Sequence, residues 1–211
     1  FGNVNLSSVT FNVDSITPII TMISPANNSN SNDNTLNVNY VATDINRDSC
    51  WYSNDTMTSN TTLASCANIT SVTWSEGNHN VTIWSNDTFG NEINGFVTFD
   101  VDTINPTITI ISPSNNTNTT NSGLDITYIA TDNNRDSCWY SNDTMTSNTT
   151  LASCANITSV TWNDGQHNVT IWVNDTFGNV NLSSVTFNVD SITPIITMIS
   201  PDNNTNSNDN T

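Results

Sequence analysis

The chain contains no lysine, and its only basic residues are Arg47 and Arg135, against 19 acidic residues. The formal net charge is −17 over 211 residues. A surface of that sign repels phosphate, so nucleic acid and anionic membrane are excluded as partners. Long apolar runs are also missing. None exceeds three residues, so nothing here can insert into a bilayer or serve as a signal peptide. Histidine is nearly absent: His79 and His167 each follow a Gly turn with no acid–base partner at a recognisable spacing. We therefore expect no catalytic residues and no enzyme.

What is present is polar and periodic. Asn, Thr and Ser supply 40, 35 and 26 residues, nearly half of the chain. Regularly spaced Val, Ile, Phe, Tyr and Trp argue against disorder in spite of that polarity. Residues 47–74, which run from Arg47-Asp48-Ser49-Cys50-Trp51-Tyr52 through Cys66 to Trp74, recur unchanged as residues 135–162. The offset is 88, the size of a small β-sandwich that can bury its own core. A second period of 176 overlies the first. Residues 1–35 match 177–211 with only two differences, Ala26 to Asp202 and Ser29 to Thr205, whereas 89–123 match far less well. Two module types thus alternate.

The four cysteines fall two per module, 16 residues apart. Zinc would require closer pairs or more histidines than the one each repeat offers. The spacing suits disulfides Cys50–Cys66 and Cys138–Cys154, with two reduced buried thiols per module as the alternative. A disulfide closing such a loop contributes about 3 kcal/mol in the chain-entropy view and implies an oxidising compartment.

Taken in order, residues 1–13 read as the last strand of a preceding module, because Val9, Phe11 and Val13 alternate with polar residues. A connector Asp14-Ser15-Ile16-Thr17-Pro18 follows and returns at Asp102–Pro106 and Asp190–Pro194, where proline stiffens an extended link. Residues 14–101 and 102–189 form the two complete modules, and 190–211 hold the first strand and loop of a following one. Within the first module, strands are expected at 19–24, 36–42, 49–53, 69–74, 81–85 and 96–101. Residues 26–34 read as a loop, 54–67 as irregular, and Glu76-Gly77 as a hairpin-like turn. Short strands at turn-punctuated spacing without helical periodicity mean an all-β sandwich. A chain that begins inside one strand and stops before another is expected to be a piece of a longer polypeptide, or of a polymer completed by strand exchange.

The run of Cys-Trp-Tyr-Ser, Asp-Gly-Gln-His-Asn-Val-Thr-Ile-Trp, Asn-Asp-Thr-Phe-Gly-Asn and Val-Thr-Phe-Asn-Val-Asp before a proline resembles the tandem immunoglobulin-like repeats of large archaeal and bacterial cell-surface proteins. The resemblance covers the whole chain. It departs from antibody domains in where the cysteines fall and from cadherins in lacking the Asp-rich calcium linker. It implies a linear array of immunoglobulin-like domains in an extracellular spacer, adhesin or appendage.

Sixteen Asn-x-Ser/Thr sequons occur, at Asn5, Asn27, Asn54, Asn60, Asn68, Asn80, Asn86, Asn115, Asn118, Asn142, Asn148, Asn156, Asn168, Asn174, Asn181 and Asn203. N-linked glycans are expected on some of them, first at Asn54, Asn60, Asn142 and Asn148, with Asn68, Asn80, Asn86, Asn156, Asn168 and Asn174 as further candidates. Trp84 and Trp172 alternate with inward Val81/Ile83 and Val169/Ile171, and Trp51 and Trp139 alternate with Cys50 and Cys138. Facing outward on neighbouring strands, they form either cross-strand pairs that stabilise a sheet or a contact surface for sugar or protein. Asp14, Asp44, Asp48 and Asp87 come from loops that converge at the leading end of the module, where Asp44, Asp48 and Asp87 could ligate calcium, although a turn neutralised by Arg47 is the simpler arrangement. The junction is expected to involve Asp14, Arg47, Asp48, Asp102, Arg135 and Asp136. The leading expectation is a structural, self-associating or continuous array forming a cell-surface filament or stalk. The alternatives are an adhesin gripping carbohydrate through its outer aromatics, or spacer domains of a surface enzyme.

Overall fold

The computed structural model describes every residue except Pro201, Asn203, Ser207, Asp209, Asn210 and Thr211. The expected loop of a following module, with its sequon at Asn203, lies partly outside the described residues. Two all-β sandwiches stand in tandem. Contacts divide the chain into two compact units: Phe1–Pro106 with Asp132–Asp136 and Asn174–Val180, and Thr107–Thr131 with Ser137–Val173 and Asn181–Thr211.

The first sandwich contains β1 (Ile19–Ser24), β2 (Ser29–Ser31), β3 (Asn39–Thr43), β4 (Arg47–Asn54), β5 (Thr61–Thr62), β6 (Gly77–Asp87) and β7 (Glu92–Val101). One sheet pairs β1 with β3, and the other runs β2-β7-β6-β4-β5. The second repeats the plan with β8 (Thr107–Ser112), β9 (Thr117–Thr119), β10 (Thr127–Thr131), β11 (Arg135–Asn142), β12 (Thr149–Leu151), β13 (Gly165–Asp175) and β14 (Val180–Val189). Its sheets are β10-β8 and β12-β11-β13-β14-β9. Sequential strands that switch between two facing sheets give the Greek-key pattern of immunoglobulin-like and fibronectin III-like sandwiches.

Alternation decides what faces inward. Along β6, His79, Val81, Ile83, Ser85 and Asp87 are buried, whereas Asn80, Thr82, Trp84 and Asn86 are half-buried on the other face. The first core gathers Val38, Tyr40, Ala42, Cys50, Ile69, Trp74, Val81, Ile83, Val97, Phe99 and Val101. The second is built from the matching residues, with Val173 where the first has Ser85.

Five expectations need correction. Residues 26–34 are not wholly loop, because Ser29–Ser31 pair in parallel with Phe99–Val101. The strand expected over 69–74 shrinks to one bridge, Val38 to Ile69. Beyond it the chain is tied irregularly: the Trp74 N–H donates to the Asn34 carbonyl at 2.7 Å, and its indole Nε1–H to the Leu36 carbonyl at 2.9 Å. No hairpin therefore forms at Glu76-Gly77; Gly77 opens β6 with φ of +107°. Residues 1–13 form no strand and lie exposed, and neither do 191–199. Val9, Phe11 and Val13 repeat Val185, Phe187 and Val189, which form β14 because β13 and β9 flank it. Alternation alone cannot order a strand without a neighbour to complete its hydrogen bonds.

Candidate functional site

The disulfides come first, since they fix the segment beside the tryptophans. Cys50 on β4 bonds Cys66, and Cys138 on β11 bonds Cys154, each with Cα atoms 5.0 Å apart. Cys66 ends a 3₁₀ turn, Ala64–Cys66, in which Ser65 and Cys66 both take positive φ, 54° and 56°. The Leu63 N–H donates to the Cys50 carbonyl at 2.9 Å, so a backbone bond and the covalent one hold the same loop to β4.

Trp51 lies directly opposite Trp84 across the β4–β6 pair. Their rings stack with centroids 6.4 Å apart and planes within 3°. Trp139 and Trp172 repeat this at 6.3 Å and 4°. All four indoles are half-buried on the outer sheet face. Offset parallel stacking at that separation lies within the favourable range for aromatic pairs.

The histidines carry the main surprise. His79 is buried, and its Nδ1 lies 3.1 Å from the nearer carboxylate oxygen of Asp55, while Nε2 lies 2.8 Å from the Ser75 carbonyl. His167 repeats this with Asp143 at 3.0 Å and the Asn163 carbonyl at 2.8 Å. An acid–base partner therefore exists 24 residues upstream, contrary to the sequence reading. Two oxygens face the two ring nitrogens, so the ring is tied on both sides. A ring spent on both sides, and packed between Trp74 and Phe99 at 5.2 and 5.5 Å, pins a loop rather than moving protons.

At the leading end of the first sandwich, Asp14, Asp44 and Asp87 offer carboxylate oxygens all within 4.8 Å of one another, as do Asp102, Asp132 and Asp175. Asp48, expected with them, is exposed and is not among these oxygens. Arg47 does not act as the expected neutraliser either. Its Nη1 donates to the Ala42 carbonyl, and amides do the work instead. Asn46 Nδ2 donates to Asp14 Oδ2 at 2.7 Å and its backbone N–H to Asp44 Oδ1 at 2.7 Å. Asn91 donates from its backbone N–H and Nδ2 to the two oxygens of Asp87, at 2.8 and 2.7 Å, and also from Nδ2 to the Asp14 carbonyl. Burial alone would raise the Asp87 carboxyl, but the Asn91 side chain and the N–H groups of Asn91, Phe89 and Gly90 together hold it below its ordinary range.

Asn134 and Asn179 hold Asp102 in the same way, at 2.7 Å to its carboxylate and 2.7 Å to its carbonyl. Thr103 adds a bond from its N–H to Glu76 at 2.9 Å. The connector Asp102–Pro106 is thus held by Glu76 and by asparagines that the sequence reading did not single out. The recurrence of Phe-Gly-Asn at 89–91 and 177–179 was the available signal. Of the sequons, Asn60, Asn68, Asn142, Asn148, Asn156 and Asn168 are exposed, and Asn54, Asn80, Asn86 and Asn174 half-buried.

No protein-family model and no curated protein sequence matches this chain. Among solved structures, it is similar to the fibronectin(III)-like modules of Clostridium thermocellum CbhA, at 17% identity and a TM-score of 0.46 over 81% of this chain and 94% of that one. It is also similar to SGBP-B of the Bacteroides ovatus mixed-linkage glucan utilization locus, solved with a mixed-linkage heptasaccharide. That match has 14% identity and a TM-score of 0.35 over 82% of this chain, and spans only 48% of the other protein. Likeness at these levels concerns the fold alone.

Proposed function

We propose that this chain is a structural, non-enzymatic segment of an extracellular glycoprotein: an array of disulfide-tied sandwiches serving as the body of a cell-surface filament, stalk or appendage. The observation that carries this reading is that the chemically capable groups of both modules are engaged in holding loops. The histidines are clamped on both ring nitrogens, the cysteines are all oxidised, and the clustered aspartates are capped by asparagine amides. A repeat whose histidines, cysteines and clustered aspartates are spent on ties suits load-bearing rather than turnover. Two disulfides support an oxidising compartment, and a lysine-free chain of charge −17 argues against phosphate polymers and anionic lipid as partners. Electron microscopy of native material is the test: fibres of uniform width support the reading, and compact isolated particles overturn it.

A second reading, carbohydrate adhesion, is favoured by the stacked tryptophan pairs alone. Saccharide-array binding that disappears in Trp84→Ala together with Trp172→Ala would establish it.

A further inference from the structure

Positions two apart on a strand share a face, so Trp84 and Asn86 project from the same side of β6, and Trp172 and Asn174 from the same side of β13. Their separation along the strand is about 6.6 Å. β4 supplies the facing residues, with Trp51 opposite Trp84 and Ser49 opposite Asn86. The Asn86 carboxamide is fixed there, because its Oδ1 accepts from the Ser49 N–H at 3.1 Å and from the Ser49 hydroxyl at 2.6 Å. These bonds commit the oxygen and leave Nδ2, the atom through which an N-linked sugar attaches, as the other branch of the amide. Thr88 and Thr176 complete the sequons and are exposed. In the second module Asn174 Nδ2 donates to Asp136 Oδ2 at 3.2 Å, a bond that the hydrogen remaining after glycosylation can keep.

We propose that Asn86 and Asn174 carry N-linked glycans whose first sugars lie on the Trp51–Trp84 and Trp139–Trp172 pairs. The inference rests on the extracellular reading and deepens it. Attachment is a substitution at the anomeric carbon of an oligosaccharide carried as a lipid phosphate ester. The Nδ2–C1 bond forms, the C1–O bond to phosphate breaks with that electron pair, and one amide proton passes to the transferring enzyme's base. A pyranose presents an apolar C–H face that settles on an indole by dispersion and C–H···π contact. The indoles are nearly parallel with centroids 6.4 Å apart and half-buried, so the outer side of the pair offers apolar surface for that contact. Asn80 shares this face but lies four positions from Trp84, about 13 Å along the strand and beyond a first sugar's reach. The tryptophans on this account hold the chain's own glycan and are closed to foreign saccharides.

The test uses protein purified from its native source. Glycopeptide mapping should find sugar on Asn86 and Asn174. Releasing the glycans should raise acrylamide quenching of tryptophan emission and shift that emission to the red, while buried Trp74 and Trp162 stay silent. Thr88→Val with Thr176→Val, expressed in the same host, removes both sequons without touching the asparagine amides and should reproduce the released state. If Asn86 and Asn174 are bare while other sequons are occupied, this inference fails and the extracellular reading stands. If no sequon carries sugar, both fail. Occupied sites whose release leaves tryptophan emission unchanged overturn the platform. So does saccharide binding by fully glycosylated protein that Trp84→Ala and Trp172→Ala abolish.

Discussion

The two sandwiches share an unbroken run of 28 identical residues, and the ties with at least one end in that run coincide: tryptophan pairs at 6.4 and 6.3 Å, histidine clamps at 3.1 and 3.0 Å, disulfides with equal Cα separations. They differ where β7 reads Glu92-Ile93-Asn94-Gly95-Phe96 and β14 reads Val180-Asn181-Leu182-Ser183-Ser184. The difference is matched across the core. A Cβ on Gly95 would meet Ile20 Cγ2 at 2.8 Å and Met22 Sδ at 3.6 Å. The second module has Ser183 in place of Gly95 and Ile110 in place of Met22, while Ile108 repeats Ile20. The module thus keeps its covalent and polar ties constant, while residues on its first and last strands vary.

If the constant part bears most of the stability, removing a tie should have the largest effect and the same effect in both modules. Replacing Cys50 and Cys66 together by alanine is expected to cost about 3 kcal/mol, as is replacing Cys138 and Cys154. Chemical denaturation of the two full-length variants checks this. A gap between them above about 1 kcal/mol would show that Ser85 and Val173, which differ beside the first cysteine of each pair, matter more than the shared sequence.

The variable part is tested by transplanting it. Gly95→Ser should destabilise the first module by about 1–3 kcal/mol through overpacking against Ile20, and adding Met22→Ile should recover part of that. Additive costs in thermal melts would mean that the two positions are not coupled and that the matched difference is accidental.

The histidine clamp should rank next. Asp55→Asn leaves a buried ring nitrogen facing an amide in place of a carboxylate and is expected to cost about 1–2 kcal/mol, with Asp143→Asn costing the same. A change within experimental error would mean that the clamp contributes nothing, and unequal changes would break the equivalence of the two modules.

The features of this fold that were legible in the sequence are those carried by period and alternation. The 88-residue repeat, the cysteine spacing and the inward Val81/Ile83 pattern led to the sandwich, its disulfides and the outward tryptophans. What was not legible depends on distant partners. Among 40 asparagines, the recurring Phe-Gly-Asn flags Asn91, but nothing local marks Asn46 or shows that the two meet at Asp14. Asp55 reaches His79 only because β4 and β6 are neighbours, which places residues 24 apart side by side. The strand expected over 69–74 failed because Trp74 satisfies its N–H groups on the Asn34 and Leu36 carbonyls rather than on a ladder. Apolar spacing reports which side is buried, and it does not report which acceptor a backbone N–H finds.

Acid should act more gently and sharpen the comparison by sign. The carboxyls of Asp33, Asp87 and Asp164 all lie below their ordinary value of 3.8. Hydrogen bonds from Thr35 dominate at Asp33 and those from Ser191 at Asp164, with the balance of burial and amide donors at Asp87 as described. A carboxyl lowered on folding contributes stability that is fully present above the unfolded value and lost as pH falls through the folded one. Melting temperature should therefore hold steady down to about pH 5 and decline below about pH 4. A loss of stability between pH 5 and 7 would show that these three carboxyls do not set the acid limit.

Chelation should have the smallest effect, because the carboxylates at the leading ends are already compensated without a cation. Three of them sharing a 4.8 Å neighbourhood would repel one another if bare. Here both oxygens of Asp14 accept hydrogen bonds, from the Ile16 N–H and Asn46 Nδ2, and both oxygens of Asp87 accept from Asn91. Amide dipoles built into the loops thus do much of what a calcium ion would do, and they do it at any ionic composition. Treating natively purified protein with a chelator should leave its melting temperature nearly unchanged, whereas Asn91→Ala should lower it by removing donors to Asp87 and to the Asp14 carbonyl together. If chelation lowers it more than Asn91→Ala does, the ranking is reversed, and the asparagines serve to shape a cation site rather than to replace one.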